Sequence, residues 1–164
     1  MLEWIRQQLQ IGSKDEGEAP PNWDGEARKI RVLVETSDRA ERSAITAELT
    51  AAGFDTVSCG GPYSLHGGEC ALVAGGACPA AAGADAIFHR LNPANPANRE
   101  VLVALKRTYP RTPIVVEIPQ PDLRRFADAL DGCNILLMPA HAPAMVAAIR
   151  GAVKAPLALT STPA

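Results

Sequence analysis

Arg31-Val-Leu-Val-Glu35-Thr-Ser-Asp38 is the stretch on which the reading of this chain turns. Residues 29–34 close on the apolar run Val32-Leu33-Val34, as expected of a strand covered on both faces of a parallel sheet. A polar loop follows at once. Beyond it Ala40, Ile45, Leu49 and Ala52 recur at helical spacing, so a helix should start at Ser37 or Asp38 as N-cap and stop at Gly53.

The same alternation continues outward. Asp55-Thr-Val-Ser-Cys59 is a second short strand and residues 85–91 a third. A helix over 99–109 carries Val101, Leu102 and Leu105 inward, and residues 112–118 form a fourth strand. A short helix over 122–130 presents Leu123, Phe126 and Leu130, residues 134–139 make a fifth strand, and a helix over 142–153 closes the domain. Strands and helices alternating at this pace predict a flavodoxin-like doubly wound α/β fold with a five-stranded parallel sheet. Residues 59–83 break the rhythm, being rich in Gly, Ala and Pro, and read as a mostly irregular insert.

The chain has 164 residues, 47% hydrophobic and 21% charged, with a formal net charge of -2. That suits one soluble domain over residues 30–154 and offers no basic surface for nucleic acid. No apolar run is long enough to span a bilayer, and the N-terminus has no secretory pattern. A cytoplasmic protein is expected. Residues 1–29 form an arm: Leu2, Ile5 and Leu9 share a helical spacing beside Trp4, followed by an acidic Pro/Gly linker. Residues 155–164 read as a flexible tail.

From Arg31 to Val153 the sequence resembles the receiver domain of bacterial response regulators. Residues 31–40 are similar to its first strand and loop, Ile45-Thr-Ala-Glu-Leu-Thr-Ala-Ala-Gly-Phe to its first helix, and Asp85-Ala-Ile-Phe-His-Arg-Leu-Asn-Pro to the segment holding the phosphoacceptor aspartate. Tyr109-Pro-Arg-Thr-Pro-Ile-Val-Val resembles the approach to strand four, and Leu136-Leu-Met-Pro the end of strand five that normally reads Lys-Pro.

The resemblance implies an acidic pair for a divalent cation, an acceptor aspartate, a hydroxyl and a lysine. Here the acidic pair falls on Thr36 and Ser37, flanked by Glu35 and Asp38. The acceptor position falls on Arg90, or on His89 with a one-residue slip. Ile118 or Glu117 stands for the hydroxyl and Met138 for the lysine. An arginine there would repel a metal ion and is expected to pair with Glu35 or Asp38. The expectation is an atypical, phosphorylation-independent pseudo-receiver: a non-catalytic regulatory module that contacts a protein partner or itself. The resemblance places partner contacts around residues 123–130 and 139–153, with Ala144 and Ala147 outward, and Trp4 offers a further contact.

Cys59, His66, Cys70 and Cys78 supply a different chemistry. Three thiols and an imidazole within 20 residues are a zinc-type donor set, and thiolates also hold iron-sulfur clusters. The gaps lack the tight Cys-x(2-4)-Cys knuckle of structural zinc sites. The alternatives are a metal or thiol-redox sensor, or ordinary structural thiols at Cys59 and Cys133 with Cys70 and Cys78 free or paired. No phosphate-binding loop, dinucleotide fingerprint or nucleophile elbow occurs, so neither an enzyme nor a resident cofactor is expected.

Overall fold

The computed structural model describes Trp23, residues 29–64 and residues 70–155. The arm over 1–11, its linker, His66 and the tail beyond residue 155 lie outside the described residues. Five strands, β1 (Arg31–Glu35), β2 (Asp55–Cys59), β3 (Ala86–His89), β4 (Ile114–Ile118) and β5 (Asn134–Leu137), form one parallel sheet in the order β2-β1-β3-β4-β5. That order is the flavodoxin-like one, with its reversal point between β1 and β3.

Helices cover both faces. On one lie α1 (Arg39–Ala51) and α6 (Ala142–Lys154), whose Ile45, Leu49, Met145 and Ile149 pack against Val32, Val34, Phe88 and Val115. On the other lie α2 (Pro79–Ala82), α3 (Pro96–Thr108) and two single turns, α4 (Asp122–Arg125) and α5 (Ala127–Leu130). These bury Ala80, Ala81, Leu102, Leu105 and Leu130 against Leu33, Ile87, Val116 and Ile118. Strands covered on both faces carry successive apolar residues, as at Val32–Val34 of β1 and Ile114–Val116 of β4.

Local signals set the helix ends. Asp38 caps α1 by accepting a hydrogen bond from the Glu41 N–H at 2.8 Å, and Gly53 takes the left-handed φ of 93° that ends it. Asn95 caps α3 by accepting from the Ala97 N–H at 3.0 Å, with Pro96 in the first turn.

Two expectations are corrected. Ala40 is exposed, and the side chain that turns inward from the start of α1 is Arg42, 6% exposed, whose Nη1 donates to the Thr36 carbonyl at 3.1 Å. The helix over 122–130 is broken into α4 and α5 at Phe126, whose φ of -118° leaves the helical region. Within residues 59–83 the single turn α2 forms, fixed to the end of α3 by Tyr109. The Tyr109 hydroxyl donates to the Cys78 carbonyl at 3.0 Å and accepts from the Cys78 N–H at 2.8 Å.

Arg42→Ala strips the Thr36 carbonyl of its partner and should cost about 1–3 kcal/mol of unfolding free energy. Ala40→Gln on the solvent side should stay within about 0.5 kcal/mol of the parent. Urea unfolding followed by circular dichroism measures both.

Candidate functional site

The strand ends at the reversal point bring together the residues that the sequence singled out. β1 and β3 pair so that Glu35 stands beside His89 and, on its other side, beside Cys59 of β2. Parallel neighbours in register point to the same face. Glu35 therefore meets His89 within the sheet: the His89 Nδ1–H donates to Glu35 Oε2 at 2.7 Å, both side chains being buried.

One residue on, the Arg90 backbone N–H donates to the Glu35 carbonyl at 2.7 Å, and its side chain turns into the loops. Its guanidinium reaches Glu41 Oε1 of α1 at 3.2 Å and Glu117 Oε2 of β4 at 3.3 Å. The second contact is an ion pair without hydrogen-bond alignment, because Glu117 Oε2 has no hydrogen-bond partner. Glu117 Oε1 accepts from the Ala140 N–H at 2.9 Å, which ties β4 to the segment before α6. Glu117 has a side chain 1% exposed and Arg90 one that is 22% exposed, so the cation shields a carboxylate that the fold has removed from water.

The pairing with Glu35 or Asp38 that the sequence suggested is thus replaced. Glu35 is taken by His89 and Asp38 by the α1 cap, so Arg90 turns to Glu41 and Glu117. Glu41 was missed, although Asp38-Arg-Ala-Glu41 has the capping-box spacing that places a carboxylate at the helix start. Thr36 is buried, with its hydroxyl 3.5 Å from Glu41 Oε2, and Ser37 is exposed. Ile118 is buried in the core and takes no part in the opening. The Met138 N–H donates to the Ile118 carbonyl at 3.0 Å, and Met138 joins Thr36, Ser37, Glu41, Arg90 and Glu117 around a cavity of about 300 Å³.

The described part of the chain spans the fold of known signalling domains. A Vibrio cholerae chemotaxis protein superposes with a TM-score of 0.56 at 16% identity, covering 76% of this chain and 98% of that one. A receiver domain of Clostridium thermocellum gives 0.58 at 17% identity, covering 75% and 93%. A response regulator receiver protein of Sinorhizobium medicae gives 0.59 at 17%, covering 78% and 97%. No protein-family model matches the sequence, and no curated protein does. The fold is therefore that of response regulator receiver domains.

The divalent cation that this fold implies does not fit the residues present. The carboxylates of β1, β4 and the start of α1 are already engaged: Glu35 by His89, Asp38 by a backbone N–H, Glu41 and Glu117 by Arg90, which leaves Asp122 of α4 as the further carboxylate lining the opening. A guanidinium already supplies the positive charge, and a dication brought beside it would be repelled.

The cysteines lie on the α2 face. Cys59, Cys70 and Cys78 pack against one core cluster, and all four cysteines are thiols rather than disulfides. Burial, and then the Glu35 charge, pushes the Cys59 thiol up to about 12. Burial also raises Cys78, with the Ala81 and Ala80 backbone N–H groups pulling partly the other way. Among the described residues no group of three or more His, Cys, Asp or Glu is arranged to hold a metal ion. Ala144 and Ala147 are exposed on α6; Trp4 and His66 lie outside the described residues.

Two outcomes follow from this geometry. Arg90→Met should lower stability toward the bottom of the roughly 3–5 kcal/mol range for breaking a buried pair, since water partly screens Arg90. Adding Glu117→Gln to that variant should recover most of the loss, as a double-mutant cycle in urea would measure. Because Cys59 holds its proton more tightly folded than unfolded, its contribution to stability is full below about pH 9 and declines as pH rises toward about 12. Alkylation of Cys59 at pH 8 should accordingly be slower in the native protein than in urea, by mass spectrometry of the labelled peptides.

Proposed function

We propose that this chain is a receiver-like regulatory module that works without phosphorylation, by contact with a protein partner and without catalysis of its own. The observation that carries this reading is Arg90, placed at the end of β3 and paired with Glu41 and Glu117. A phosphoryl group needs an attacking carboxylate and a cation that neutralises its oxygens. Here the position offers a guanidinium, which is no nucleophile, and Glu41 and Glu117 are spent on it.

A domain whose switch is held in one state still presents a surface. The edge strand β5 supports a contact role, because Ile135 and Leu137 are 42% and 45% exposed on the face that the broken turns α4 and α5 fail to cover. Both are large and apolar, and side chains two apart on a strand share a face. Ala144 and Ala147 are exposed on α6, which packs beside β5.

A second reading rests on the gathering of Cys59, Cys70 and Cys78 against one core cluster, where charge on either of the others raises Cys59 further. A metal sensor there predicts near-stoichiometric zinc or iron on protein purified without chelator, lost on Cys78→Ala, and a thiol-redox sensor predicts loss of titratable thiols under mild oxidant. Four titratable thiols without metal, before and after oxidant, leave contact regulation alone.

Incubation with acetyl phosphate and magnesium should leave the intact mass of the purified protein unchanged, while an active receiver treated in parallel gains one phosphoryl group. A stable or transient phosphoryl adduct on this chain would overturn the reading.

A further inference from the structure

A second opening lies well away from the strand ends. Leu72, Val73, Pro96, Arg99, Glu100, Val103, Ala104 and Arg107 enclose about 530 Å³ between the turn after Cys70 and the outer side of α3. Its lining mixes apolar Leu72, Val73 and Val103 with charged Arg99, Glu100 and Arg107. Val103 is 47% and Val73 37% exposed, a loss for two branched aliphatic side chains unless something covers them.

Trp23 says where the N-terminal arm enters the domain. Its indole Nε1–H donates to the Ala80 carbonyl of α2 at 2.8 Å, and its ring lies so close to Gly83 that a Cβ there would come within 2.5 Å of it. α2 is in turn held to the C-terminal end of α3 through Cys78 and Tyr109. The chain therefore meets the domain one short helix away from the Arg107 end of the groove, on the same face of the sheet.

Twenty-two residues precede Trp23. Those numbered 12–22 can extend over about 35 Å, whereas α3 with its 13 residues is about 20 Å long, so the first 11 can reach any part of the groove. Leu2, Ile5 and Leu9 recur at the spacing of one helical stripe, and their seven-residue span of about 10 Å fits along the lining from Pro96 to Arg107. The intervening stretch carries Asp15, Glu16 and Glu18 against the single Lys14, and the route passes the exposed Arg107 and Arg111. Opposite charge along the route favours this path over one to the β5 edge, which lies across the sheet from β1.

We infer that residues 1–11 of this chain dock in cis, through Leu2, Ile5 and Leu9, into the groove formed by Val73, Val103 and the α3 surface. The arm is then part of the domain that bears it, and any partner for Trp4 must compete with that groove. The inference stands apart from the phosphate-independent reading and survives its failure.

Hydrogen exchange on the full chain tests it. Amides of residues 1–11 should exchange at least about tenfold more slowly in the parent than in Val103→Asp, equally at low and high protein concentration, while β1 and β4 exchange alike in both proteins. Val73→Asp, in the facing turn, should repeat the effect and serves if Val103→Asp disturbs the core. Unprotected amides in the parent, protection lost on dilution, or protection that survives both substitutions would each overturn the assignment.

Discussion

The contact between Arg90 and Glu117 is the constraint on which the C-terminal end of the sheet depends. Glu117 is the penultimate residue of β4 and is withdrawn from water, a placement that costs several kcal/mol for an uncompensated carboxylate. Arg90 supplies the compensation from β3, and by reaching Glu41 as well it ties the first turn of α1 to both strands. The other oxygen of Glu117 fixes the Ala140 backbone ahead of α6. Four elements thus converge on one ion network at the point where a doubly wound sheet ordinarily holds its ligand.

Beside this network lies the buried pair of Glu35 and His89. Cys59, Glu35 and His89 stand abreast on β2, β1 and β3, and the Glu35 carboxylate is consumed by His89 within the sheet. This arrangement also sets the chemistry of the thiols. Cys59 sits next to a carboxylate in an apolar surround, and both influences oppose thiolate formation. The two polar clusters together match Glu35, Glu41 and Glu117 with His89 and Arg90 at the strand ends.

Much of the architecture was legible in residue order. The apolar runs Val32–Val34 of β1 and Ile114–Val116 of β4, the Asp38 and Asn95 caps and Gly53 each report a local rule that tertiary packing left in force. The failures have physical causes. Ala40 falls in the helical stripe of Ile45 and Leu49 by spacing, yet the inward place belongs to Arg42, whose long side chain finds the Thr36 carbonyl. The break at Phe126 was invisible because Leu123, Phe126 and Leu130 keep helical spacing across it. At the site, sequence order put Arg90 at the acceptor position but could not choose its partners. That choice follows from His89 and the α1 cap claiming Glu35 and Asp38 first, a competition that exists only once the strands are aligned.

The central claim is that a guanidinium holds the place of a metal ion, and magnesium titration followed by amide chemical shifts tests it most directly. The account predicts that the resonances of Thr36, Arg90, Glu117 and Met138 stay unmoved through millimolar magnesium, apart from shifts linear in ionic strength. Saturable, co-titrating shifts at those residues would mean that Arg90 yields its carboxylates to a metal, and would contradict the account.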